Sequence, residues 1–278
     1  MSKRLTISII TILYAIIDPL WAALDWCISR LPLRRFERRH GNRLETAVVT
    51  LTDPAGRELI LVGMRHLGAI EYFQQIATLI NDRPDHLLLS EGIRNRKGET
   101  VSLPEKYATL FDMARSIARI TKLAYQSDCI KYAASRTPRL TDTTRRKLWA
   151  NIQKYGLEKR FAPPEQVISF LASETIPDQF KRRVVTDFLV RLASVNFLAR
   201  MFRLFRADMR LHNQIINHHR SQIAARSIRR AMRLEQRNVI SLWGNNHLPR
   251  IIDHLRTAGY QVVKTEWLTV MTIRKEHS

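Results

Sequence analysis

Two histidines and one glutamate follow short apolar runs, at positions where side chains can take part in chemistry. His66 follows "LILVG" and His247 follows "VISLWG", each in a Gly-x-x-His pattern that begins at Gly63 or Gly244, and Glu91 follows "HLLLS". A glycine after a strand allows close backbone approach, and the N–H groups that begin the next helix can stabilise an anionic oxygen. Imidazole and carboxylate groups bind transition metals, and without a metal they act as a general base and its orienting acid.

The elements around the first motif predict a hairpin followed by a helix and a strand. Strands rich in β-branched residues are expected at 45–51 and 58–64, joined by the turn "TDPAGR". "GAIEYFQQIATLI" has apolar residues at helical spacing, and "HLLLS" then returns as a buried strand at 86–90. This β-α-β order predicts that strands 58–64 and 86–90 are parallel neighbours. The predicted buried face of the helix comprises Ile70, Phe73, Ile76, Ala77 and Ile80.

The second motif belongs to another β-α-β pattern, beyond a long helical stretch. Residues 104–237 have helical spacing, with breaks near "SRTPRLTD", "YGLEKRFAPPEQ" and "SETIPDQ". "VISLWG" then predicts a strand, "HLPRIIDHLRTAG" a helix closed by Gly259, and "YQVVKTEWLTVMTI" a final strand. The predicted fold class is α/β: a mixed, mainly parallel sheet formed by N- and C-terminal β-α-β units, with a large helical insertion, in a domain at 45–278.

A mainly parallel sheet would bring the chemical groups of both motifs together. The carboxyl ends of parallel strands share one edge, where open α/β sheets bind ligands, so His66, Glu91 and His247 are expected to converge there. Two equivalent motifs with a strand-end glutamate between them favour a functional site over isolated loop histidines. No Gly-x-Ser-x-Gly elbow, Walker loop or dinucleotide-binding glycine pattern is present, which argues against a serine α/β-hydrolase, an NTPase and a Rossmann dehydrogenase. Cys27 and Cys129 indicate neither a disulfide framework nor a thiolate zinc site.

Residues 1–29 predict an N-terminal hydrophobic helix that anchors the protein in a membrane. About 20 apolar residues at 5–24 are long enough to cross a hydrocarbon core of about 30 Å. Six arginines follow in the linker at 30–44 and only two basic residues precede the segment, so the positive-inside bias places the main domain in the cytoplasm. The alternatives are a cleaved signal, which makes the domain secreted or periplasmic, and an amphipathic helix on the bilayer or packed on the domain.

The charge of the chain favours anionic partners. Lysine and arginine number 46 against 25 aspartate and glutamate residues, for a formal net charge of +21. Between residues 200 and 237, ten arginines face only Asp208 and Glu235, and the apolar spacing predicts an amphipathic helix or helix pair with a basic face. We expect this face to contact an anionic membrane surface. The alternatives are nucleic acid, for which no recognition motif is visible, and a solvated face that binds nothing.

The order of the motifs resembles that of the TraB/PrgY/GumN/Tiki superfamily, which is related to the erythromycin-esterase-like and ChaN-like hydrolase folds. In that family a strand ends in Gly-x-x-His, as in "LVGMRH", and a helix and a strand ending in Glu follow, as in "LLLSEG". A second Gly-x-x-His closes the domain, as in "LWGNNHLPRIIDHLRTAGYQV". The resemblance covers about residues 45–94 and 200–264.

The resemblance implies a hydrolase or metalloprotease, with a manganese- or cobalt-type ion as in Tiki proteins. It makes His66, Glu91 and His247 candidate metal ligands or acid/base residues. The family's arginine motif aligns best with "FRADMRLHNQI", which has alanine in the arginine position, so Arg206 or Arg210 is the candidate to hold a substrate anion or developing oxyanion.

Together these expectations predict a membrane-associated, metal-dependent hydrolase that acts on peptide or ester bonds. The metal would polarise the scissile carbonyl or lower the pKa of bound water. Because the arginine motif is altered, the alternative is a catalytically inactive, basic protein that binds membranes or nucleic acid on the same fold.

Overall fold

The computed structural model describes residues 36–40, 43–92, 114–129, 136, 138–154, 173–174, 181 and 214–272. The predicted hydrophobic helix at 1–29 and the apolar segment within it lie outside these residues. In the described ranges, no helix has both the length and the apolar character needed to cross a bilayer.

Strands and helices alternate along most of the described chain. The strands are β1 (Glu37–His40), β2 (Arg43–Thr52), β3 (Glu58–Met64), β4 (Leu67–Gly68), β5 (Leu87–Ser90), β6 (Ala124–Tyr125), β7 (Arg139–Leu140), β8 (Val239–Gly244) and β9 (Gln261–Thr272). The α-helices whose bounds are described are α1 (Ile70–Asn81), α2 (Gln126–Cys129), α3 (Arg145–Lys154), α4 (Arg220–Glu235) and α5 (Leu248–Arg256). Residues 114–121 are also α-helical. A π-helical turn (Gln214–His219) leads into α4, and a 3-10 turn (Asn245–His247) leads into α5.

The main sheet is mixed, so the predicted α/β class is confirmed. Strands β3, β8, β5 and β7 are consecutive neighbours and run parallel. On the other side of β3 lies β2, which pairs antiparallel with β1, β3 and β9. A separate two-stranded sheet joins β4 to β6. The strand β1 lies within residues 30–44, so part of the predicted linker is a strand of the domain.

The predicted hairpin is confirmed as β2 and β3. Val48 pairs with Val62 and Thr52 pairs with Glu58, so the two apolar runs are in antiparallel register. Asp53 organises the turn, because its Oδ1 accepts hydrogen bonds of 2.9 Å from the N–H groups of Ala55 and of the arginine that follows Gly56. Burial raises the pKa of Asp53, but its bonds with that arginine outweigh burial, and the net effect lowers this pKa.

The prediction that strands 58–64 and 86–90 are neighbours is wrong. Both are parallel to β8, which lies between them: Leu61 and Leu89 pair with opposite sides of Ser241. The crossover through α1 therefore skips one strand position, which the C-terminal part of the chain fills. Every residue of β8 before Gly244 is buried, as expected of a central strand covered on both faces.

The predicted helical insertion also contains strands. The segment "SRTPRLTD", expected to be only a helix break, contains β7, which extends the parallel sheet beyond β5. β6 lies in the same insertion. With two residues each, these strands are too short to produce a periodic signal in the sequence.

Two hydrophobic clusters cover the two faces of the main sheet. Successive strand side chains point to opposite faces, so Val49 and Leu61 join the cluster with α4 and α5, while Val48 and Val62 join the cluster with α1. The sheet is thus sandwiched between helices, and its strand ends are positioned by a core on each side.

Helix α1 is confirmed, but its buried face differs in part from the prediction. Phe73, Ile76 and Ile80 are buried as expected, whereas Ile70 is 51% exposed, Ala77 is half-buried and Tyr72 is fully buried. The Tyr72 hydroxyl donates a hydrogen bond of 2.9 Å to the carbonyl of Gly63, which ties α1 to the end of β3. Burial raises the pKa of Tyr72 to about 12.

Candidate functional site

The carboxyl ends of the four parallel strands form one edge of the sheet. Met64 pairs with Gly244, and Ser90 pairs with both Leu242 and Leu140, so β3, β8, β5 and β7 end near the same level. The predicted alignment of the strands that precede His66, Glu91 and His247 is therefore confirmed. Polar side chains that follow these strands meet here, as they do at ligand sites of open α/β sheets.

Glu91 lies at the centre of this edge and uses both carboxylate oxygens. Its Oε1 accepts a hydrogen bond of 2.6 Å from Nη2 of Arg220, and its Oε2 accepts one of 2.6 Å from the backbone N–H of Gly244. Burial raises the pKa of Glu91, but the charge of Arg220, together with His247 and the Gly244 bond, outweighs burial, so the net pKa is lowered. Glu91 is consequently an ionised carboxylate at neutral pH.

Gly244 is needed at its position because the carboxylate approaches its backbone closely. A Cβ atom built on Gly244 would lie 2.9 Å from Oε2 of Glu91. Gly63 has a different reason: a Cβ atom there would lie 2.8 Å from Oδ1 of Asn245 and 3.0 Å from the carbonyl oxygen of Ala47. Both glycines of the Gly-x-x-His motifs thus serve close packing, one against the site and one beneath the 3-10 turn.

Arg220 connects Glu91 to a second buried carboxylate, Asp142. Nε of Arg220 lies 3.0 Å and 3.2 Å from the two Asp142 oxygens, and Nη2 also bonds Asp142. Asp142 is fully buried at its side chain and accepts a further hydrogen bond of 2.6 Å from the N–H of Thr143. Burial lowers the pKa of Arg220, but its bonds to both carboxylates outweigh burial and raise this pKa. The guanidinium therefore stays charged between two carboxylates.

His247 is buried and held through one ring nitrogen. Its Nδ1 lies 3.0 Å from Oγ of Ser221, whose hydroxyl donates a hydrogen bond of 2.5 Å to the carbonyl of Asn217. Because the serine proton is used there, the ring donates its own Nδ1–H to Ser221, and Nε2 keeps its lone pair. Nε2 lies 3.7 Å from Oε1 of Glu91.

The surroundings of His247 keep the imidazole neutral. Burial lowers its pKa and outweighs the opposing effect of the Glu91 charge, and the positive charge of Arg220 lowers the pKa further. The Trp243 ring packs edge-to-face against the imidazole with the centroids 5.3 Å apart. A neutral imidazole with a free Nε2 lone pair beside a carboxylate can accept a proton near neutral pH.

His66 shares the edge but contacts neither of the other two predicted residues. Its side chain is exposed, and its Nδ1 lies 3.0 Å from Oε1 of Gln126. Its charge, when protonated, acts on Glu91 only at a distance, by lowering the pKa of that carboxyl. The structure thus brings together Glu91 and His247, and leaves His66 at the rim. Arg206 and Arg210 lie outside the described residues.

The donors at this edge do not fit a bound divalent metal in this arrangement. Both Glu91 oxygens accept hydrogen bonds, and a guanidinium lies 2.6 Å from the oxygen nearest to His247. Within the described part of the chain, no three His, Cys, Asp or Glu side chains form a metal-binding group. A manganese- or cobalt-type ion held by His66, Glu91 and His247 stays a prediction from the sequence, which this hydrogen-bonded arrangement does not support.

Three site residues were missed by the sequence analysis. Asp142 follows the two-residue strand β7, Arg220 was counted among the arginines of a basic helix face, and Ser221 adjoins it without any motif. None of the three carries a signal of its own in the sequence, because "PRLT" before Asp142 is not an apolar run and Arg220 and Ser221 belong to no motif. Comparison of the chain with protein-family models, with curated proteins and with solved structures found no match.

Proposed function

We propose that the carboxyl edge of the sheet is the active site of a hydrolase that acts on peptide or ester bonds, with His247 as its general base. The observation that carries the proposal is the neutral, buried imidazole whose free Nε2 lies 3.7 Å from an ionised glutamate. A base that is neutral near pH 7 can accept a proton from water, and a neighbouring carboxylate stabilises the positive charge that the base then carries.

In this mechanism His247 moves the proton of the attacking water. As the water oxygen bonds to the carbonyl carbon, the carbonyl π electrons move to oxygen and the water proton moves to Nε2. When the tetrahedral intermediate collapses, Nε2 returns that proton to the leaving alkoxide or amine, so the imidazole is neutral again. Ser221 accepts Nδ1–H throughout while its own hydroxyl donates to the carbonyl of Asn217, which keeps Nε2 directed at the reacting water.

Glu91 stabilises the imidazolium that forms during the reaction. Its carboxylate is held in place by Arg220 and by the N–H of Gly244, so it needs little reorganisation when Nε2 becomes charged. The substrate anion or oxyanion would be held by Arg206 or Arg210, as the sequence predicts. Membership of the TraB/PrgY/GumN/Tiki superfamily is part of the proposal and rests on the motifs alone.

A screen of ester and peptide substrates with the full-length protein tests the proposal. We expect hydrolysis to fall at least a hundredfold in His247→Ala, because general base catalysis contributes about 10²–10⁴ in rate. The matched control is His219→Ala, since the His219 side chain is exposed. Hydrolysis that is equal in both variants and the wild type would refute His247 as the base.

The pH dependence provides a second test. The rate is expected to rise with pH as His247 loses its proton, with an apparent pKa below the usual 6.5 because burial lowers it. Elemental analysis of the same preparation, beside His66→Ala/His247→Ala, tests the metal. Stoichiometric manganese or cobalt that is lost in the double variant would replace the metal-free mechanism by a metal-assisted one.

A further inference from the structure

The outward face of helix α4 is strongly basic. Four arginines on this face are exposed and follow one another at spacings of three, one and three residues, which places them on one side of the helix: Arg226, Arg229, Arg230 and Arg233. The opposite side packs into the core through small and apolar side chains: Ala224, Ala225, Ile228, Ala231 and Met232. The arginines are therefore presented by a helix whose position is fixed by the fold.

These charges are not neutralised within the described ranges. The only acid of α4, Glu235, pairs with Arg139 at 3.0 Å, and no described acidic side chain pairs with the four arginines. Arg226 has only a weak contact of 3.4 Å to the carbonyl of Gln222. Within the described part of the chain, the face therefore presents its positive charge outward, where an external partner can bind it.

An exposed leucine lies beside the same arginines. Leu234 is 62% exposed, follows Arg233 directly and lies one helical turn after Arg230. Basic side chains with an adjacent apolar one suit a bilayer surface, where arginine meets anionic headgroups and leucine enters the boundary with the acyl chains. Nucleic acid would favour aromatic side chains that stack on bases, and α4 contains none.

We propose that the α4 face formed by Arg226, Arg229, Arg230, Arg233 and Leu234 docks on an anionic lipid bilayer. This docking is independent of the proposed hydrolase activity. Since Arg220 is the first residue of α4, the docked helix would also hold the carboxyl edge of the sheet at a fixed position relative to the lipid surface. Each arginine near an anionic surface contributes about fivefold to affinity, so removing three weakens docking on the order of a hundredfold.

The test reports on this helix and not on the chain as a whole. In full-length protein with Cys27→Ser and Cys129→Ser, an environment-sensitive fluorophore is attached at Leu234→Cys, or at Val263→Cys on β9 as a reference position. The protein is mixed with vesicles of pure phosphatidylcholine or of phosphatidylcholine with about 30 mol% phosphatidylglycerol, which is an anionic lipid. Docking predicts a blue shift at position 234 with the anionic vesicles only, reduced by salt.

Matched charge variants decide the outcome. Arg226→Gln/Arg230→Gln/Arg233→Gln is expected to abolish the shift, whereas Arg119→Gln/Lys122→Gln/Lys147→Gln, which removes three exposed charges elsewhere, is expected to keep it. Circular dichroism checks that both variants stay folded. The proposal is overturned if position 234 does not respond to anionic vesicles, if both triple variants respond alike, or if duplex DNA produces the shift and anionic vesicles do not.

Discussion

Replacement of Arg220 by methionine would leave two buried carboxylates without their cation. In the wild type the guanidinium bonds both Glu91 and Asp142, whose side chains are 19% and 0% exposed, and is itself 9% exposed. Methionine keeps a similar length and helix propensity, so the main change is the loss of the charge and of the hydrogen bonds. The variant therefore measures what this one cation does for the carboxyl edge.

The expected loss in the free energy of unfolding is about 3–5 kcal/mol at pH 7, the range for removing one partner of a buried ion pair. The loss should also depend on pH. Without Arg220, burial raises the pKa of Glu91. Protonation of this carboxyl on acidification therefore reduces the destabilisation of the variant. In the wild type this pKa is lowered, so the contribution of Glu91 to stability is present above its ordinary pKa of 4.5 and declines as pH falls. The difference between the two proteins should shrink between pH 7 and pH 4.

Urea unfolding at pH 7, 5.5 and 4, followed by circular dichroism, provides the measurement. Arg226→Met is the matched control, since Arg226 lies on the same helix but is exposed, and its loss should change stability by less than about 0.5 kcal/mol. A loss in Arg220→Met below about 1 kcal/mol, or one that is equal at all three pH values, would refute the described charge network.

Three further predictions concern single groups. Wild-type stability should decline as pH falls below 6.5, because burial lowers the pKa of His247 and the unfolded chain therefore binds the proton more readily. His247→Gln should flatten this decline, and an unchanged pH slope would contradict the lowered pKa. Gly244→Ala should lower the free energy of unfolding by about 1–3 kcal/mol in thermal unfolding, because its Cβ would lie 2.9 Å from Oε2 of Glu91. The φ of −49° at this position suits alanine, so unchanged stability would mean that the carboxylate is not held there. Tyr72→Phe should cost about 1–2 kcal/mol in urea unfolding, because the buried carbonyl of Gly63 loses its donor, and an unchanged midpoint would argue against this bond.

The sequence predicted the elements that have strong periodicity and lacked the information that orders them. The hairpin of β2 and β3, helix α1 and the last strand-helix-strand segment follow from apolar spacing and turn residues. The neighbour of β3 could not be predicted in this way, because parallel central strands are apolar on both faces and their sequences do not specify a partner. The prediction therefore paired β3 with β5, the next strand that the sequence predicts, although β8 takes that place.

The site shows the same division between local and long-range information. Glu91 and the two Gly-x-x-His motifs could be placed at strand ends because strand ends are visible in the sequence. Their distances could not be inferred: His66 lies at the exposed rim, whereas His247 is buried. Arg220 could not be distinguished from the other arginines of its helix, since its burial depends on where Glu91 and Asp142 lie after folding.

The central place of β8 has a consequence for how the protein is made. Until residues 239–244 have been synthesised, β3 and β5 each have an unpaired edge facing the position that β8 later fills. The partners of β8 lie about 150 to 180 residues earlier in the chain, so the sheet closes through contacts of very long sequence separation. We expect slow folding, and aggregation through the open β3 and β5 edges in chains that terminate before residue 239.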